Sequence, residues 1–81
     1  MDIKIRVGKR IKELRELTKM SQKDLSFAAD LDRSYITSVE NGQRNISIIN
    51  IEKIANALGV SIQTFFSDDK FNEYKARFRS N

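Results

Sequence analysis

The sequence has 81 residues and a formal net charge of +4, and it contains neither cysteine nor histidine. This length allows one small domain, and the missing residue types exclude a disulfide framework, a thiolate site and an ordinary zinc site. Residues 1–20 hold seven basic and three acidic side chains, whereas residues 21–67 hold four and five. We therefore predict a single domain over residues 1–81, without metal or other cofactor, that gains stability by pairing with a second copy.

The apolar segments are all much shorter than a membrane span, and the N-terminal segment MDIKIRVGKR lacks the hydrophobic core of a signal peptide. We therefore expect a soluble, cytoplasmic protein that does not contact membranes. The sequence also lacks a phosphate-binding loop and any recognisable pairing of a nucleophile with a base. We predict that the chain is not an enzyme and has no catalytic residues.

Apolar residues at helical spacing predict a first, amphipathic helix from about residue 3 to residue 18. Its inward positions are Ile3, Val7, Ile11, Leu14 and either Leu17 or Thr18. Ser21 is a suitable N-cap for a second helix, because Asp24 three residues later adds negative charge to the first turn. In this second helix we predict that Leu25 and Ala28 face inward, with Phe27 as a further candidate.

A third helix is predicted for RSYITSVEN, with Ile36 and Val39 facing the core. Asp30 lies where the chain must turn between the two helices, and Asp tolerates the left-handed conformation better than most residues. Asp32 is the N-cap candidate, and the pair Asn41 and Gly42 is a typical helix end. The segment therefore predicts two short helices joined by a tight turn.

A fourth helix begins after Ser47 and ends at Gly59, and Ser61 can cap a short fifth helix. The fourth helix has an apolar stripe of Ile48, Ile51, Ile54, Ala55 and Leu58. Beyond the core at about residues 5–67, residues 68–81 place Phe71, Tyr74 and Phe78 at helical spacing, so they form either a sixth helix or a frayed tail. The fold class is therefore all-α, with five or six short helices.

Two short helices joined by a tight turn form a helix-turn-helix pattern, which on spacing alone is weak evidence of function. Here the surrounding residues are more specific: SQKDLSFAADLDRSYITSVENG is followed by NISIINIEKIANALGVSIQTFF. Over about residues 5–67 the chain resembles the Cro/phage-repressor (XRE) helix-turn-helix family. Within that family it is most similar to the controller proteins of restriction–modification systems. The resemblance implies a lambda-repressor-like domain whose third helix enters the major groove of DNA.

The outward strip of the third helix has the spacing needed to reach base edges in a major groove, and the resemblance assigns it that role. The expected base-contacting residues are Arg33, Ser34, Thr37 and Ser38. Arg33 can donate two hydrogen bonds to guanine, or it can instead pair locally with Asp30 or Asp32. Ser38 either reaches the groove or, because its side chain is short, stops short of it.

The resemblance also implies phosphate contacts around this strip, which position the domain without specifying sequence. The candidates are Gln22, Lys23, Tyr35, Asn41, Gln43, Arg44 and Asn45. Arg44 is the strongest of them because charge-assisted hydrogen bonds to phosphate are strong. Tyr35 either packs its ring toward the core and turns its hydroxyl to a phosphate, which we favour, or contacts bases. Asn41 either binds phosphate or only ends the helix.

The family pairs the residues that match Arg15 and Glu40, so we expect a partly buried ion pair between the first and third helices. The surplus of apolar residues late in the chain is available either for the core or for a symmetric interface. For the interface we name Ile49, Phe65 and Phe66. A two-fold dimer would read a near-palindromic operator with recognition helices ~34 Å apart.

The sequence therefore predicts a homodimeric transcriptional regulator that binds double-stranded DNA. The controller resemblance implies that it regulates its own gene and a restriction endonuclease gene, and it leaves open a contact with RNA polymerase. The alternatives are another XRE-type repressor, and an antitoxin-like or other protein-interaction module that keeps the same fold.

Overall fold

A computed structural model of the chain describes residues 2–72, and within them it contains five α-helices and a final 3₁₀ turn. The helices are α1 (Ile3–Leu17), α2 (Gln22–Ala29), α3 (Arg33–Glu40), α4 (Ile48–Ala57) and α5 (Ile62–Phe65), and the 3₁₀ turn spans Asp69–Phe71. The all-α prediction is thus confirmed. Of the predicted C-terminal stripe, Phe71 lies in the 3₁₀ turn, and Tyr74 and Phe78 lie outside the described residues.

Serine side chains begin three of the helices, as the sequence predicts. The Ser21 hydroxyl accepts a hydrogen bond from the Asp24 backbone N–H, and the Asp24 carboxylate accepts one from the Ser21 N–H, each at 2.9 Å. This reciprocal capping box satisfies two donors that a helix start leaves unpaired. Ser47 and Ser61 cap α4 and α5 through the backbone N–H groups three residues later. Local sequence therefore determines where these helices begin.

The turn between α2 and α3 depends on Asp30, which adopts the predicted left-handed conformation with φ 56° and ψ 49°. The next residue, Leu31, donates its N–H to the Ser26 carbonyl, so the chain reverses without leaving that carbonyl unpaired. Asp32 occupies the N-cap position of α3 in extended conformation, but its side chain makes no capping hydrogen bond to the helix. The predicted position is correct, and the predicted contact is absent.

The core is formed by apolar side chains from all five helices. They are Val7, Ile11, Leu14, Leu25, Ala29, Ile36, Val39, Ile51, Ile54, Ala55, Leu58 and Phe65. Several inward predictions are wrong. Ile3 and Ala28 are exposed, as are both alternatives Leu17 and Thr18 and the further candidate Phe27, and Ile48 at the start of the α4 stripe is 68% exposed. In α2 the residue that faces the core beside Leu25 is Ala29, because eight residues of weak periodicity do not determine the rotation of a helix by themselves.

Two arginines hold the end of the described chain against α1. Arg10 is 8% exposed and donates from Nε to the Phe65 carbonyl at 2.7 Å and from Nη2 to the Thr64 carbonyl at 2.9 Å. Arg6 donates to the Lys70 carbonyl at 3.3 Å. Arg10 thus satisfies carbonyls at the end of α5, and Arg6 satisfies one in the 3₁₀ turn. The basic surplus of α1 is therefore used partly for packing rather than for contacts with a partner.

Candidate nucleic-acid interface

The candidate reading surface is the outward face of α3. Arg33 and Ser34 are exposed, and Thr37 and Ser38 are half-buried. Ile36 and Val39, on the opposite face, are 0% and 1% exposed and anchor the helix in the core. The structure therefore presents the four predicted base-contacting residues as one polar strip on a helix whose other side is packed.

α3 lies very close to α1 at Gly8. A Cβ at this position would be 2.3 Å from the Val39 carbonyl oxygen and 2.7 Å from the Glu40 carbonyl oxygen. Only glycine allows the two helices to approach this closely. The end of the candidate reading helix is thus positioned by backbone packing as well as by its side chains.

The expected ion pair between Arg15 and Glu40 is present and bidentate. Arg15 Nε donates to Glu40 Oε2 at 2.7 Å, and Nη2 donates to Oε1 at 3.0 Å. Arg15 also donates to the Met20 carbonyl at 2.9 Å. The Glu40 side chain is 3% exposed, and its carboxylate raises the pKa of Arg15 above the usual value. The pair therefore ties the end of α3 to α1 in a largely buried setting.

Gln22 extends this ion pair into a network that reaches the reading strip. Its side-chain Nε2 donates to Glu40 Oε1 at 3.1 Å, and its Oε1 accepts from the Thr37 hydroxyl at 2.9 Å. The Thr37 hydroxyl also lies 3.1 Å from the Arg33 carbonyl. Gln22, which we expected to bind phosphate, thus links α2 to the middle and to the C-terminal end of α3. No pattern in the sequence indicates the Gln22–Thr37 contact, because it depends on the angle between the two helices.

Tyr35 packs its ring against the core, as the favoured alternative predicts for the ring, whereas a contact of its hydroxyl with phosphate stays a prediction. Its hydroxyl accepts a hydrogen bond from Asn50 Nδ2 at 3.0 Å, and the Arg44 guanidinium lies over its ring at 5.1 Å from the centroid. Sequence reasoning did not identify Asn50, which connects α4 to α3. Arg44 thus lies over the first turn of α3 while remaining exposed.

The other predicted phosphate-contacting residues surround the strip on two sides. Lys23 is exposed in the first turn of α2, and Asn41, Gln43 and Asn45 are exposed between α3 and α4. The chain leaves α3 through Gly42, which has a φ of +74° and donates its N–H to the Val39 carbonyl. Polar groups therefore flank the candidate reading helix at the start of α2 and beyond the end of α3.

A second surface, formed by Ile48, Ile49, Glu52 and Ile62, is mostly apolar and faces solvent. Ile48 and Ile49 are 68% and 65% exposed, which is consistent with the prediction for Ile49. Phe65 requires a correction: it is fully buried in the core of the protomer and has no surface to offer a partner. Phe66 is half-buried, and its ring packs edge-on against Phe65 and Phe71.

Across residues 2–72, no group of acidic side chains is placed to hold a metal ion. No helix in the same range is long and apolar enough to cross a membrane.

Comparison with known proteins finds a family model described as helix-turn-helix, HTH_3, that matches residues 11–65. The chain is 50% identical over 68 residues to the control protein C.MunI from Mycoplasma sp, covering 83% of this chain and 92% of that protein. Its fold matches the crystal structure of the restriction-modification controller protein C.AhdI from Aeromonas hydrophila with a TM-score of 0.75 and 44% identity, over 78% of this chain and 96% of that one. The controller protein C.Esp1396I, solved as a tetramer in complex with its natural 35 base-pair operator, matches with a TM-score of 0.78 and 36% identity, over 82% of this chain and 87% of that one.

Proposed function

Because the chain belongs to the HTH_3 helix-turn-helix family and is similar to restriction–modification controller proteins, we propose that it is a sequence-specific, homodimeric DNA-binding regulator of transcription. In this proposal α3 is the recognition helix, and the protein acts on the promoter of its own gene and of a restriction endonuclease gene. The family and the relatives support DNA binding, and the pairing of these two genes as targets rests on the relatives alone.

The observation that carries the proposal is the polar strip on α3, presented by a helix held at three places. The helix is packed through Ile36 and Val39, bonded to α1 through Glu40, and bonded to α2 through Thr37. A helix that must place short side chains against base edges needs this rigidity, because small displacements would break hydrogen bonds to the bases.

Each residue of the strip can make a contact that its chemistry favours. Arg33 has a forked guanidinium that matches the O6 and N7 acceptors of guanine, and Ser34 and Ser38 carry hydroxyls that donate or accept. Lys23 and Arg44 flank the strip with positive charge at the start of α2 and beyond α3. They would bind phosphates and set the orientation of the helix without reading sequence.

The exposed apolar surface at Ile48, Ile49 and Ile62 would pair two protomers about a two-fold axis. Such an interface is isologous, so the same patch on each copy contacts the other. It would hold the two recognition helices about one DNA turn apart, and the preferred operator would be a near-palindrome. The tetramer of C.Esp1396I on its operator supports higher assembly of this kind on DNA.

The direct test is footprinting and gel retardation on the DNA immediately upstream of the gene. We expect a protected, near-symmetric site whose affinity falls as salt rises, because bound phosphates release counterions. Arg33→Ala should weaken binding by about 1–3 kcal/mol and relax the preference at one base pair per half-site. Arg44→Ala should instead weaken binding to all sequences alike. It should also reduce the slope of the logarithm of the binding constant against the logarithm of the salt concentration by about one per protomer.

An absence of sequence-selective binding to this DNA would refute the proposal. Equal activity in cells of wild type, Arg33→Ala and Arg44→Ala would also refute it, because DNA readout would then be irrelevant to function. The interface is tested separately by sedimentation of Ile49→Ser. Since Ile49 is exposed in the protomer, this variant should fold normally and sediment as a monomer at concentrations where the wild type is a dimer.

A further inference from the structure

We propose that Thr37 reads DNA only as a hydrogen-bond acceptor, so that the base it faces presents an amino group, either N6 of adenine or N4 of cytosine. This inference rests on the proposed function, since it requires α3 to lie in a major groove. It adds the chemical identity of one recognised group, and this identity follows from how the protein holds the hydroxyl proton of Thr37.

The constraint begins at the ion pair. A guanidinium has only donors and an ionised carboxylate has only acceptors, so the Arg15–Glu40 pair leaves Glu40 Oε1 as an acceptor facing Gln22. The side-chain amide of Gln22 has one donor end and one acceptor end. It must turn its NH₂ to the carboxylate, because the opposite orientation would place two oxygens together in a largely buried site. The Gln22 oxygen therefore points toward Thr37.

The Thr37 hydroxyl has a single proton, and the protein offers it two acceptors. Gln22 Oε1 lies at 2.9 Å and the Arg33 carbonyl oxygen at 3.1 Å. Whichever of the two receives the proton, the groups left for a partner are the lone pairs of the hydroxyl oxygen and the methyl group. Donation to thymine O4 or to guanine O6 would break a hydrogen bond within the protein.

The neighbouring position on the strip has the opposite chemistry. Arg33, one helical turn earlier, has a guanidinium that can only donate, so it selects acceptors such as guanine O6 and N7. The Thr37 hydroxyl is hydrogen-bonded to Gln22 on α2 and to the Arg33 carbonyl within α3, so turning it to donate to a base would break one of these bonds. In each half-site of the DNA, Arg33 would thus require a base with acceptors in the major groove, and Thr37 would require a base with an amino group at an adjacent position.

The experiment measures the coupling between the Thr37 hydroxyl and single groups on the bases. Duplexes carrying the footprinted site are prepared with adenine replaced by a purine lacking the amino group, cytosine by a pyrimidinone lacking it, or a purine by its 7-deaza form. Each is titrated with wild type and with Thr37→Val, which keeps the side-chain shape. At one base per half-site, loss of the amino group should weaken wild-type binding about threefold to tenfold. The same loss should change Thr37→Val binding by less than about twofold.

The inference would be overturned if the deletion of an acceptor such as N7, rather than of an amino group, weakened the wild type but not Thr37→Val. The inference would also be overturned if no amino-group deletion in the half-site weakened the wild type more than Thr37→Val. In that case selective binding by the wild type would still support the proposed function. If the wild type shows no selective binding at all, the proposed function fails. Thr37→Ser, which retains the hydroxyl, should restore the coupling, and thermal unfolding of each variant shows whether it is folded.

The role of the hydrogen-bond network from Glu40 through Gln22 to Thr37 is tested by Gln22→Met, which keeps the length of the side chain but removes its amide. The remaining acceptor, the Arg33 carbonyl, is longer at 3.1 Å and lies in an exposed setting, so the hydroxyl can leave it at lower cost to donate to a base. The preference for an amino group at the Thr37 position should therefore fall measurably. Lys23→Met is the matched control, because it removes a neighbouring candidate phosphate contact from the same turn of α2. It should weaken all sequences equally and leave that preference unchanged. An unchanged preference in Gln22→Met would show that the amide does not control the hydroxyl.

Discussion

Replacing Glu40 by alanine should destabilise the protein strongly, because it leaves the largely buried positive charge of Arg15 without its partner. Glu40 accepts from Arg15 Nε at 2.7 Å, from Arg15 Nη2 at 3.0 Å and from Gln22 at 3.1 Å. The Arg15 side chain is only 12% exposed, so water can replace the carboxylate only in part. Breaking a buried pair from one side costs about 3–5 kcal/mol.

That loss is large against the whole stability of a domain of this size, which is about 4–12 kcal/mol. The assay is therefore urea unfolding at low temperature and fixed protein concentration, since pairing of protomers would make stability depend on concentration. Glu40→Gln keeps one acceptor but must place an NH₂ near other donors, so we expect a smaller loss of about 1.5–3 kcal/mol. Glu16→Gln, which changes an exposed acid of α1 next to Arg15, is the control and should stay within about 0.5 kcal/mol.

The double variant Arg15→Met with Glu40→Leu removes both charges and should recover much of the stability lost in Glu40→Ala, because no buried charge is left unpaired. A loss below about 1 kcal/mol for Glu40→Ala would refute the reasoning, since it would mean that solvent or another group compensates Arg15 fully. A double variant less stable than Glu40→Ala would refute it as well.

Two further predictions concern stability. Gly8→Ala should destabilise the domain by about 1–3 kcal/mol in urea unfolding, because the added Cβ would meet the Val39 and Glu40 carbonyls. Gly59→Ala is the control, because a Cβ there meets nothing within 4 Å and the variant measures the cost of backbone strain alone. Equal losses of stability in the two variants would contradict the clash at Gly8. A hydrogen bond from the backbone N–H two residues later holds the pKa of Asp68 below its usual value. The stability it contributes is present above the unfolded pKa of about 3.9 and is lost as pH falls through the lower folded value. Asp68→Asn should therefore reduce the decline of the urea midpoint below about pH 4, and an unchanged decline would refute the assignment.

Local chemistry made much of the fold predictable. A serine or aspartate at a helix start acts on N–H groups within three residues, so the caps at Ser21, Ser47 and Ser61 follow from the sequence alone. The left-handed turn at Asp30 has the same origin. The polar strip of α3 was visible for a similar reason, since helical spacing alone places its side chains on one face.

Tertiary structure decided the features that depend on how the helices are rotated and how closely they approach. α2 is too short for its own pattern to set its rotation, and packing turned Ala29 inward and left Phe27 80% exposed. The candidate interface shows the same limit: an apolar residue near the end of the chain suits a core or an interface equally well, and only the packed fold buries Phe65.

The sequence by itself thus determined the helix starts, the turns, the family and which side chains share the polar strip of α3, because these depend on neighbouring residues or on motif spacing. The direction in which the Thr37 hydroxyl points was decided by tertiary structure. It depends on Gln22, 15 positions earlier, and through it on a carboxylate held from α1. Such a chain of contacts exists only when three helices meet, because hydrogen bonds act over about 3 Å and do not follow sequence distance.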